Sequence, residues 1–255
     1  MLSLYWKVTT LAARRAAAAW PVALSFFVYG LILWPTSIVA AQLGMLGGFL
    51  VGFVVAACWS SYLELISQAV AGSKIRIRWD DFKRTFGARF WDVISVMFAF
   101  WIIGLVTKPL TAGPNGEAIS AMLGLGIAFF FNAVPELLYQ GSSRSFALLL
   151  DSGRFIFKHP VAWLLPNIVF AAIALAPTGS LHVHHPAELL LLFGRVFSSP
   201  AGVATVFLGL PLWAVPIALV ALHYVMVFRG ILFHELNTGG GGNARLRAFQ
   251  AQMRR

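Results

Sequence analysis

The segment from Gly48 to Gln68, GFLVGFVVAACWSSYLELISQ, constrains the fold more than any other part of the chain. Phe, Leu, Val and Trp occupy most of its helical circumference. A soluble helix has no use for apolar surface all round, whereas a bilayer-spanning helix requires it. Every fourth residue is small or polar: Gly48, Gly52, Ala56, Ser60, Glu64 and Gln68. Residues four apart neighbour one another on a helix, so the spacing predicts a smooth packing stripe that ends in a carboxylate and an amide. Seventy-two residues on, Ser120, Gly124, Ala128, Asn132, Glu136 and Gln140 repeat the stripe position for position. The pattern predicts an internal duplication.

Composition agrees with a membrane setting. The 255 residues are 59% hydrophobic and only 11% charged, against roughly 25% charged in soluble chains; mean hydropathy is +0.80. The net charge of +10 does not require nucleic acid, because the basic residues flank apolar runs instead of forming one folded face. With Cys58 as the sole cysteine, an intrachain disulfide and a cysteine metal cluster are both excluded. The N-terminal apolar stretch is long and lacks a small-residue cleavage site, so it reads as a retained first helix.

In order along the chain, crossings are expected at about 17–40, 44–68, 93–110, 119–140, 161–176 and 201–228. Between them, 2–15, 73–92 and 141–160 mix basic and apolar residues at helical spacing and read as amphipathic helices lying in the cytoplasmic interface. The expected architecture is an all-α integral membrane protein of about six transmembrane helices. One bundle covers 1–238, in repeat units of about 1–72, 73–143 and 144–238, and a flexible basic tail follows at 239–255. The second helix of each unit closes on Glu-Leu: Glu64-Leu65, Glu136-Leu137 and Glu235-Leu236. The third unit lacks the small-residue stripe, so the duplication is claimed for the first two. Of the 19 Lys and Arg, all but Lys108 and Arg195 fall on one side of this topology. That bias predicts both termini in the cytoplasm of a bacterial inner membrane.

Candidate sites follow from the same pattern. Gly44, Gly48, Gly52, Ala56, Gly124 and Ala128 are expected to let helices pack closely, with Asn132 supplying an interhelical hydrogen bond. That surface serves either internal packing or contact with a second subunit or lipid. Glu64 and Glu136 are either a proton or ion site or helix-end carboxylates paired with arginine, with Arg84 and Arg154 the expected partners. Asp81 and Arg84 recur as Asp151 and Arg154. His182, His184 and His185 share one loop with Glu188, where they are either solvated or a metal site. His223, inside the last crossing, either binds a cofactor such as haem or hydrogen-bonds a neighbouring helix. No phosphate-binding loop, nucleophile elbow or H-E-x-x-H is present.

The recurring returning helix, the Gly-Ser breaks at Gly72-Ser73 and Gly141-Ser142, the basic amphipathic segments and the close VFRGILFHELN resemble bacterial six-helix membrane families. Among these is the membrane domain attached to some glycerophosphodiester phosphodiesterases. The resemblance implies a helical bundle; with no counterpart of the phosphodiesterase domain, it implies no hydrolase activity. The expected function is a non-catalytic membrane subunit without a cofactor, whose partners are lipids and other proteins. The alternatives are a transporter or permease subunit moving a lipid or small solute, and a metal or haem protein.

Overall fold

The computed structural model describes residues 1–72, 85, 87–113, 115–141, 146–175 and 214–239. Among these the regular structure is entirely helical: α1 Leu2–Ala18, α2 Pro21–Gln42, α3 Met45–Ala71, α4 Phe90–Thr111, α5 Gly116–Phe130, α6 Val134–Gln140, α7 Phe146–Lys158, α8 Pro160–Leu175 and α9 Ala214–Gly239. Among the described residues, five stretches are long and apolar enough to cross a bilayer: Pro21–Gln42, Met45–Ala71, Phe90–Thr111, Ala118–Gln140 and Val215–Thr238. The helix starting at Pro160 is apolar but shorter. The architecture is compatible with a membrane-embedded bundle.

The helix boundaries follow local chemistry. Proline opens α2 at a position where its missing N–H costs nothing. Gly44 joins α2 to α3 at φ +55°, and Gly72 ends α3 in the left-handed conformation at φ +78°, a region that favours glycine. The expected division between segment 2–15 and the first crossing is present, a few residues further along the chain. The chain forms two helices separated at Ala19-Trp20, and only the second has the length of a span.

α9 is the axis of the bundle. From Met226 to Phe233 every residue is buried, and the helix touches α1, α2, α3, α6 and α8. α1 lies antiparallel along it: Lys7 pairs with Glu235 at one end, and Ala16 accepts a hydrogen bond from His223 at the other. Val8, Ala12 and Ala16, four apart, form the buried seam of α1. The sequence pattern places the last crossing at 201–228; the described helix, Ala214–Gly239, runs on past that end, and its most enclosed part is the RGILF sequence expected to mark its exit. Residues 201–213 lie outside the described residues.

The fourth crossing is broken. Pro135 has no N–H to offer Phe131, and its ring crowds the preceding turn. The chain therefore leaves α5 at Phe130, turns through 131–133 and restarts as α6. The segment that the sequence pattern expects to match it, α3, runs unbroken. Of the expected amphipathic segments, 2–15 falls within α1 and 141–160 contains α7. Most of the segment 73–92 lies outside the described residues, as does the tail beyond Gly239.

Candidate functional site

A carbonyl freed in mid-span needs a donor, because lipid supplies none. Here Arg229 of α9 provides it. Its Nη2 donates to the Asn132 carbonyl within the break and to Glu136 Oε2 at 2.9 Å. Its Nε donates to Glu136 Oε1 at 2.7 Å, and Nη1 to Asn167 Oδ1 of α8 at 2.9 Å. The side chains of Arg229 and Glu136 are 2% and 0% exposed. Trp163 stacks on the guanidinium, 5.0 Å from ring centre to Cζ, and donates Nε1–H to Asn132 Oδ1 at 2.9 Å. Asn167 is held in turn by its Nδ2 on the Trp163 carbonyl at 2.7 Å. One cation thus ties α9, α6, the α5–α6 break and α8 together. A lysine could not do this; the planar fork makes the two-pronged carboxylate contact while other N–H bonds reach elsewhere.

A second arginine closes the far end of α6. Arg89 donates Nε–H to Glu64 Oε2 at 2.9 Å and Nη1–H to the Leu138 carbonyl at 2.6 Å, with Nη2 on the Tyr139 carbonyl at 3.4 Å. Its backbone N–H reaches Ser60 Oγ at 2.8 Å. Carbonyls in the last turn of a helix have no intrahelical donor, and a cation there is favoured by the helix dipole. Arg15 treats the end of α3 the same way, donating to the Val70 carbonyl. Ser152 of α7 covers the Phe130 carbonyl at 2.8 Å, and Gln140 Nε2 reaches the Gly230 carbonyl at 2.8 Å.

These contacts correct several expectations. Glu64 and Glu136 do lie at one end of the bundle, since Arg89 joins Glu64 to the carbonyls just past Glu136. Their partners, however, are Arg89 and Arg229. Arg154 pairs instead with Asp151 at 3.2 Å on the exposed face of α7, a surface contact of little worth. Arg84 and Asp81 lie outside the described residues. In the sequence pattern Arg229 counts only as a boundary charge, although an arginine between MVF and GILF signals an intramembrane partner by itself.

The packing stripe is also corrected. A Cβ at Gly44, Gly48 or Gly52 would meet nothing within 4 Å; Gly44 serves the turn instead. Ala56 and Ser60 are buried, Gly124 and Ala128 half-buried. Steps of four residues overshoot a 3.6-residue turn by about 40° each, so a five-turn stripe winds into the core and out again. Asn132 makes the expected interhelical bond, through Trp163, but its buried Nδ2 has no hydrogen-bond partner. His223 is buried with Nε2 3.3 Å from the Ala16 carbonyl, a bond to a neighbouring helix. His182, His184 and His185 lie outside the described residues, among which no metal-competent cluster of His, Cys, Asp and Glu occurs.

Two results are expected here. Arg89→Lys, which cannot hold Glu64 and the α6 carbonyls together, should lower stability by about 1.5–3 kcal/mol, read as an earlier unfolding midpoint in detergent. His159, between α7 and α8, has a buried Nε2 without a partner, and burial together with Lys158 holds its imidazole below the ordinary 6.5. The folded state then binds fewer protons than the unfolded one, so this contribution falls as pH drops through 6.5 and is flat above it. Thermal midpoints between about pH 7.5 and about pH 5.5 should therefore decline less steeply in His159→Gln than in the native chain.

No family model, no curated protein and no solved structure matches the chain. The likeness of VFRGILFHELN to six-helix membrane families therefore rests on the sequence pattern alone.

Proposed function

We propose that the chain is a non-catalytic, multi-pass subunit of the bacterial inner membrane, a scaffold or accessory component of a larger membrane assembly, with both termini cytoplasmic. One observation carries this reading. Both carboxylates that the sequence offers for chemistry are engaged by arginines that at the same moment close helix ends or a helix break. Such groups hold a shape, and a shape held this firmly suits a component that presents surfaces to others. The test is tagged purification in mild detergent with quantitative mass spectrometry. A membrane protein should co-purify in fixed ratio and bring this chain with it in the reciprocal experiment; a chain that runs alone as a monomer overturns the reading.

A second reading, a transporter or permease subunit, is favoured by the broken span with a buried ion pair, a feature of many transport sites. Proteoliposomes loaded with a pH-sensitive dye distinguish the two. Proton flux that is present in the native chain and lost in folded Glu136→Gln favours transport; equal dye response in protein-free and protein-containing vesicles favours the scaffold.

A further inference from the structure

The outer surface of α7 is divided in an unusual way. Its buried side, Leu148, Leu149, Ser152, Phe155 and Ile156, packs on the bundle. Phe146, Leu150 and Phe157 share a second face and are 58%, 65% and 66% exposed. Arg154 and Lys158 share a third, also exposed, with the half-buried Asp151 paired to Arg154 at its edge. At about 100° per residue, the exposed apolar sector is centred about 140° from the buried one, and the basic sector about 80° further round. A helix between protein and water needs two faces. Three faces, one packed, one bare and apolar, one basic, fit a helix that meets protein, hydrocarbon and water together.

We propose that α7 lies in the headgroup boundary of one leaflet, with Phe146, Leu150 and Phe157 among acyl chains and Arg154 and Lys158 among phospholipid phosphates. Two features identify the occupant as lipid. The bare apolar face is followed, at the start of α8, by the exposed apolar Val161 and Leu165, and α7 and α8 join within two residues. The basic sector complements the phosphates that border any phospholipid acyl region. Ser152, bonded to the Phe130 carbonyl, fixes which way the faces point.

The inference rests on the membrane reading, and its test separates the two. The native chain is placed in nanodiscs of phosphatidylethanolamine and phosphatidylglycerol carrying a diazirine in the acyl chain, irradiated, and mapped by mass spectrometry. Adducts are expected on Phe146, Leu150 and Phe157 and not on Arg154 or Lys158. Adducts on the exposed Leu24 and Phe27 of α2 but none on α7 overturn this inference alone; adducts on neither helix overturn both. Spin labels at Leu150→Cys and Arg154→Cys give a second measurement. Oxygen should reach the first label better than a nickel chelate does, with the order reversed at the second. Nickel access at both, or access of neither reagent to the first as under a protein partner, overturns the inference.

Discussion

Glu136→Leu should cost about 3–5 kcal/mol, the usual loss when one member of a buried ion pair is removed and the other charge stays behind. Arg229 could not turn to water, because it is 2% exposed and held on Asn132 and Asn167 as well. The folded fraction against added SDS in mixed micelles would report the loss. The double variant Glu136→Leu/Arg229→Met should recover much of it, since two well-packed apolar side chains commonly replace a buried pair at little cost. Recovery should be incomplete, because the Asn132 carbonyl and Asn167 Oδ1 lose their donor. A single variant within about 1 kcal/mol of the native chain would mean that the guanidinium finds another anion, and the Arg229 junction would not be what holds these helices.

The second large effect separates adjacent glycines. A Cβ at Gly47 would run into the backbone of Ala40, meeting its carbonyl oxygen, and its C and Cα at 2.6 and 2.9 Å. Backbone cannot rotate aside as a side chain can, so the α2–α3 hairpin must open. Gly47→Ala should therefore destabilise by about 1–3 kcal/mol. Gly48→Ala meets nothing within 4 Å and should be neutral or stabilising by up to about 1 kcal/mol, from helix propensity alone. The same SDS titration compares them. Equal behaviour of the two variants would show that the hairpin does not close on Gly47.

Much of the fold was legible because its cause is local. Apolar side chains all round a stretch of twenty or more residues demand lipid or a deep core wherever that stretch ends up; among the described residues four such stretches are single helices and a fifth is helical on both sides of a break. Glycine at Gly72 and proline at Pro21 mark helix ends by their own backbone chemistry. Pro135 carried an equally local signal for the break in the fourth crossing, and the apolar run around it concealed that signal. The four-residue stripe misled for a different reason: neighbourhood on a helix holds over one turn and drifts over five, so Gly48 faces away from the side to which Glu64 belongs.

The residues alone determined that this chain forms apolar helices, roughly where most of them lie, and that Glu64 and Glu136 need partners. Only the tertiary structure decided which partners. Arg229 is 93 positions from Glu136, and no periodicity relates residues on separate helices. Their meeting depends on α9 coming to rest in the centre, beside a break whose open carbonyl requires a donor that the surrounding apolar side chains lack.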